Sequence, residues 1–225
     1  MKRLLLAAAC VATFAGSSLS AAPVTGKISF LTKRGQRPNA AETLVWLEPL
    51  SAKAPARTPA KPAPPPFQMV TRGKTFLPHI LPVPAGATVS FPNQDPIAHN
   101  IFSLSAGNTF DLGFYRDGPG KAQKFEQPGV VNVYCNVHPN MSAVVHVMPT
   151  PYYAFADAMG AFSLDVPAGK YKLVAWNEQG GSAEASVEVP AAGLKDTAVT
   201  IDGRAFRFKE HTNKFGKPYT APKEY

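Results

Sequence analysis

Cysteine and histidine are scarce in this sequence. Among 225 residues there are two Cys and five His, too few for a disulfide scaffold, a multi-finger zinc protein or a cofactor that needs many thiolates or imidazoles. Long apolar runs are also missing. The uncharged, largely apolar stretch from Leu4 to Ala15 is too short to span a bilayer as a helix, and no other stretch approaches that requirement. No membrane span is therefore expected. Sustained 3.6-residue periodicity is absent, which removes the crossover helices that βαβ units require. Acids are outnumbered, 15 Asp and Glu against 23 Lys and Arg, for a net charge of +8. That balance admits an acidic protein, an anionic surface or nucleic acid as partner and does not choose among them. The basic residues are dispersed rather than interleaved with aromatics in one motif, so nucleic acid is not expected. What the chain has in quantity is 23 Pro and 17 Gly beside 45% hydrophobic residues, a composition that favours β-structure with many loops.

Lys2 and Arg3 precede the apolar run, and the small residues Ser17, Ser18, Ser20, Ala21 and Ala22 lead into Pro23. This is the layout of a secretory signal peptide over residues 1–22, and a periplasmic or otherwise exported location is the expectation. Cys10 lies in the apolar run, with Ala7 where a lipoprotein signal carries a larger aliphatic side chain, which speaks against lipidation. Removing the segment takes away Cys10, Lys2 and Arg3, leaving Cys135 as the sole thiol and 21 basic against 15 acidic residues, a net charge of +6. An unpaired thiol in an oxidising compartment is open to oxidation and cross-linking unless it is buried inertly or held by a metal.

Val24 to Leu31 and Thr43 to Leu47 read as two strands around the turn-rich RGQRPN, and a hairpin over residues 23–50 is the simplest expectation. Residues 51–66 carry six Pro, three basic residues and no acid, the composition of an extended linker. Short runs of strand character fill residues 67–149, at Thr75–Leu77, Thr88–Phe91, Asn100–Leu104, Val130–Cys135 and Ala143–Met148. Turn signals such as PAG, NQD, DGPG and QPG separate them, which points to an antiparallel sandwich. A second series, at Tyr152–Ala156, Ala161–Val166, Lys170–Trp176, Ala185–Val189 and Thr197–Ile201, occupies residues 150–203. A unit that small buries little by itself, so the 23–50 hairpin is expected to pair with it and complete a small second sandwich. Residues 204–225 hold six basic and two acidic residues with little apolar pattern, and read as a mobile or surface-draped basic tail.

The residues that carry chemistry lie at the end of one strand. In VNVYCNVHPNM, alternation stops at Cys135, and Cys135, His138 and Met141 follow at three-residue intervals. On a short loop this spacing lets a thiolate, an imidazole and a thioether converge on one ion, whereas on a continuing strand it would send them to opposite faces. Pro139 biases His138 away from helical geometry. A fourth ligand must come from elsewhere, and FPNQDPIAHN offers His99 after a turn. Two imidazoles, one thiolate and a weak Met form the blue-copper set. Zinc could use Cys135 and the two His, but a thioether adds little for zinc, and copper binds N/S sites more tightly in the usual divalent order.

With these residues the chain resembles the cupredoxins of the plastocyanin and amicyanin kind, most closely the short Cys-x-x-His-Pro-x-Met loop of amicyanin, over about residues 67–149. The resemblance implies an all-β fold, a Greek-key cupredoxin sandwich plus the small second β-sandwich. It implies one type 1 copper ion with His99, Cys135 and His138 as strong equatorial ligands and Met141 as the long axial one. Asn100, next to the first His, would steady the ligand loop by hydrogen bonding. The layout is also similar to exported plastocyanin-like proteins of the type called methylamine utilization protein. GAFSLDVPAGKYKLVAW, Gly160 to Trp176, resembles carboxypeptidase-regulatory or transthyretin-like domains, which bear no catalytic residues.

A copper ion held by four protein ligands has no open position, so one-electron transfer rather than substrate turnover is its natural use, and no enzyme is expected. The axial Met and hydrogen bonds to the thiolate would tune the potential, and the resemblance implies that His138, with Val137, Pro139 and Met141, forms the edge through which electrons pass. The basic surface suggests an acidic redox protein as partner, such as a cytochrome or dehydrogenase, whose association salt would weaken. Two other readings stay open: copper binding for delivery or storage without electron transfer, and a binding or structural role in which the trailing sandwich docks to a partner. The remaining histidines are expected to be structural or exposed at His79, on the opposite strand face from the ligands at His146, and solvated in the tail at His211. Trp176 is expected in the core because alternation already accounts for it.

Overall fold

The structure is a computed structural model and describes residues 21–51, 67–207 and 210–219. Most of the expected signal peptide, Cys10, the Pro-rich stretch and the end of the tail lie outside the described residues. The chain runs through β1 (Ala21–Leu31) and β2 (Leu44–Pro49). Then follow β3 (Phe67–Gln68), β4 (Val70–Thr71), β5 (Phe76–Leu77), β6 (Ile80–Pro84), β7 (Ala87–Asn93), β8 (His99–Ser103), β9 (Phe110–Tyr115), β10 (Gly118–Phe125), β11 (Gly129–Cys135) and β12 (Ser142–Met148). The last series is β13 (Tyr153–Phe155), β14 (Ala161–Pro167), β15 (Gly169–Asn177), β16 (Gly181–Val189) and β17 (Leu194–Asp202). The all-β expectation holds. Among the described residues no helix is long and apolar enough to cross a membrane.

Strands β3 to β12 form two five-stranded sheets, one ordered β10-β7-β4-β5 with β3 on β7, the other β6-β12-β11-β8-β9. Alternation explains why they face each other. In β11 the inward positions Val131, Val133 and Cys135 are wholly buried while Asn132 and Tyr134 are partly exposed, as a period of two requires. These inward residues pack with Met69, Phe76, Val89, Phe91, Ile101 and Phe125 from the other strands. At the bulge where β10 pairs with β7, Gly120 (φ +74°) presses on the Phe91 carbonyl, and a Cβ there would sit 1.8 Å from that oxygen. Only glycine permits this approach, which holds β7 as it runs out toward Asn93.

The remaining strands form a three-stranded sheet, β14-β1-β17, and a four-stranded one, β13-β2-β15-β16, closed over a separate core that includes Val24, Leu47, Phe162, Tyr171 and Ile201. The hairpin expected over residues 23–50 does not form. β1 pairs antiparallel with β14 and parallel with β17, whereas β2 pairs with β13 and β15 in the opposite sheet. The turn-rich stretch leads into a 3-10 turn at Ala40–Glu42, started by the Asn39 side chain accepting from the Ala41 amide, and the chain crosses between sheets instead of folding back. β1 also begins at Ala21, with Ala22 wholly buried, two residues inside the segment expected to be removed.

A third apolar cluster joins the two sandwiches: Leu44, Trp46 and Val174 from one side meet Ile80, Val144 and Met148 from the other. Each such side chain, fully buried, contributes about 1.5–3 kcal/mol. His146, on β12, is buried within this contact with its ring edge-on to Trp46 and Trp176, centroids 5.2 and 5.1 Å away. At the rim of the contact His79 pairs with Glu178, whose carboxylate raises the imidazole above its usual pKa.

Candidate metal centre

Two strand ends create the site. β7 stops at Asn93, a turn follows, and β8 starts at His99; β11 stops at Cys135, and β12 resumes at Ser142. Because β8 and β11 are neighbours, with Cys135 opposite Ile101, the first histidine and the cysteine come together at one end of the sandwich. The intervening loop is held shut by main-chain bonds, from the Met141 amide to the His138 carbonyl (3.0 Å) and from the Cys135 amide to the Met141 carbonyl (3.2 Å). A third bond, from the Asn136 amide to the Asn100 carbonyl (2.9 Å), ties the loop to β8.

The Cys135 Sγ atom lies 3.7 Å from Nδ1 of His99 and 3.4 Å from Nδ1 of His138, and the three donor atoms lie within 4.8 Å of one another. Two donors each 2.0–2.3 Å from a shared ion, at an angle of 110–120°, stand about 3.5 Å apart. The spacing thus fits one ion among the three side chains. His99 and Cys135 are wholly buried and His138 is half-buried. Met141 is also buried, at the end of the same loop. The donor set of a thiolate and two imidazoles suits copper or zinc.

The orientation of His99 has a cause that the sequence reading did not assign. Its Nε2 lies 2.9 Å from the Asp95 carboxylate, leaving Nδ1 turned to Cys135. Asp95 in turn accepts the amides of Gly73 and Lys74. Burial works against charge on Asp95, but those two amides and the His99 ring outweigh it and hold the carboxyl below its ordinary pKa. His99 itself is lowered, by burial against the pull of Asp95, and His138 is lowered by burial and by the neighbouring His99 and Lys74. Both rings therefore favour the neutral form that a metal needs. Asp95 was visible four residues before His99, but nothing in the sequence brings the Gly73–Lys74 turn to it.

Replacing Asp95 by Asn would set an amide NH2 against either the Gly73 amide or the Lys74 amide and the His99 N–H, which share one carboxylate oxygen. Loss of such an outer partner typically costs about 10–100-fold in metal affinity. A competition titration with a chelator should show a loss of that order in Asp95→Asn, with one site per chain still present; unchanged affinity would remove Asp95 from the role.

Asn100 meets the ligand loop through its main chain, not its side chain. Its side-chain amide donates to Asp111 rather than to the ligand loop, and its main-chain carbonyl makes the contact with Asn136. His146 is not part of the cluster and faces the second sandwich. His211, expected to be solvated, is half-buried and stacked on Tyr134, centroids 4.0 Å apart and planes within 14°. The ring finds an aromatic face next to Cys135, a contact that charge composition does not reveal.

No family model matches the chain, and neither does any curated protein sequence. Similar solved structures include a purple cupredoxin from Nitrosopumilus maritimus, 27% identical over 36% of this chain and 99% of that one, with a TM-score of 0.31. An oxidised amicyanin variant is 18% identical over 40% of this chain and 88% of that one (TM-score 0.36), and a pseudoazurin from Sinorhizobium is 18% identical over 38% and 75% (TM-score 0.32).

Proposed function

We propose that this protein carries single electrons between redox partners through one copper ion that His99, Cys135 and His138, together with Met141, would hold. The observation that supports the reading is the convergence of one thiol and two imidazoles in a buried pocket, on a loop that returns at once to Met141. Copper bound there would supply a one-electron couple. The chain's part is to fix the donors in advance: Asp95 turns His99, the loop bonds hold Cys135 and His138, and the strands around them exclude water. Donors that need not move between oxidation states keep reorganisation small. His138 is the partly exposed member of the set, with Val137 exposed beside it, which suits it to the edge where a partner docks. We take that partner to be an acidic redox protein and the location to be outside the cytoplasm, on the basic balance and the Lys2–Arg3 leader pattern.

The test is a redox titration of protein loaded with Cu(II). One equivalent of copper that cycles reversibly between its two oxidation states without loss supports electron transfer. Release of the metal on reduction would move the protein to copper delivery, and failure to bind one equivalent would overturn the copper reading.

A further inference from the structure

The basic tail does not drape at random. Residues 211–219 lie along the ligand loop and touch the main chain on both sides of it. His211 stacks on Tyr134, the residue before Cys135, and its Nε2 donates to the Pro139 carbonyl, just after His138, at 2.6 Å. The Tyr219 hydroxyl donates to the carbonyl of Cys135 itself at 2.8 Å, and its ring meets His211 edge-on at 5.2 Å. Between these two points the Lys214 amide donates to the Asn136 side chain at 3.0 Å, and the Lys214 ammonium lies 2.7 Å from Asp111. The other oxygen of Asp111 accepts from Asn100, next to His99. Every ligand of the three-residue cluster thus has a chain neighbour, or its own carbonyl, tied directly or through Asp111 to the segment 211–219.

We propose that this C-terminal segment is an intramolecular strap that locks the ligand loop shut, with His211, Lys214 and Tyr219 as positioning residues that govern how readily the loop opens to admit or release a metal. The copper arm of the proposal rests on the function proposed above; the strap itself does not. A loop of six residues held by two internal main-chain bonds and one to β8 opens locally at low cost unless further contacts hold it. The strap adds three hydrogen bonds, a ring stack and an ion pair across that loop, and it reaches the loop from 72 to 84 residues away in sequence.

Two readouts on the full chain test it. In metal-free protein, alkylation of Cys135 by iodoacetamide, followed at the peptide containing Cys135 by mass spectrometry, reports loop opening without any metal. Tyr219→Phe loses the bond to the Cys135 carbonyl and the 3.3 Å contact of the same hydroxyl with His211 Nδ1, which should speed it at least about fivefold, and His211→Ala, which also loses the stack, by more. In copper-loaded protein, release to a Cu(I) chelator should accelerate in the same order. Tyr219→Phe keeps the ring, so its melting temperature should match that of the unsubstituted protein. Equal alkylation rates in all three proteins would overturn the strap, as would an acceleration that merely follows a fall in melting temperature. Faster alkylation in a protein that binds no copper would uphold the strap while removing the copper reading.

Discussion

On the copper function proposed above, the Cu(II)-loaded protein is expected to show intense visible absorption and narrow copper hyperfine splitting, and replacement of Cys135 by Ala to abolish the first and leave the splitting of an ordinary tetragonal site. Both signals arise from a thiolate bound to the metal, and Cys135 is the only thiol among the described residues. Its sulfur stands 3.4 and 3.7 Å from the two imidazole nitrogens, so its removal takes away one of the three clustered donors and leaves His99 and His138 facing a gap. Affinity should fall by more than the roughly 100-fold upper range seen when an outer partner is lost, because here a direct ligand goes. The fold should survive. Cys135 packs as a small buried residue at the end of β11, and its main-chain bonds to Met141 and Tyr219 do not involve the sulfur. Absorption and electron paramagnetic resonance spectra of the two proteins, with circular dichroism as the check on folding, decide the matter. A variant as blue as its parent would exclude Cys135 as a ligand.

What could be read beforehand divides by the range of the contact. Cys135, His138 and Met141 share one short loop, so their spacing alone suggested convergence, and the structure brings the first two within 3.4 Å. His99, 36 residues from Cys135, was reachable only as the histidine that follows a turn in FPNQDPIAHN, and the resemblance then gave it the place of a ligand. Strands with clean alternation, such as β11 and β14, announce their buried face. β9 and β10 do not: Gly113, Gly118 and Gly120 interrupt the pattern, and β10 is exposed at five of its eight residues. Alternation also names a face and never a partner, which is why β1 and β2 read as a hairpin although they belong to opposite sheets. The tail was least legible of all. Its contacts are a ring stack, an ion pair and single hydrogen bonds, which leave no periodic trace in a stretch with little apolar pattern.

Acid should weaken the contact between the two sandwiches through His146. Its ring is buried between Trp46 and Trp176, its Nδ1 has no hydrogen-bond partner among the described residues, and burial lowers its pKa to about 4. An unfolded chain titrates near 6.5, so between those values the unfolded state binds the extra proton and stability rises with pH. The contribution is complete above pH 6.5, declines as the pH falls, and is gone below about 4. A drop from 6.5 to about 4, at 1.36 kcal/mol for each tenfold change in proton affinity, amounts to about 3 kcal/mol. His79 works the other way, since Glu178 raises its pKa and its contribution fades as pH rises, while His99 and His138 act in the same sense as His146. Only a comparison between variants isolates the buried ring. His146→Leu keeps an apolar filler of similar size and removes the titrating group together with the unsatisfied nitrogen. Urea denaturation of the metal-free protein at pH 7.5 and pH 4 should show the parent losing about 3 kcal/mol more than His146→Leu over that interval. Parallel losses in the two proteins would mean that the contact survives protonation of His146, and that Leu44, Val144, Met148 and Val174 hold the sandwiches together without regard to its charge.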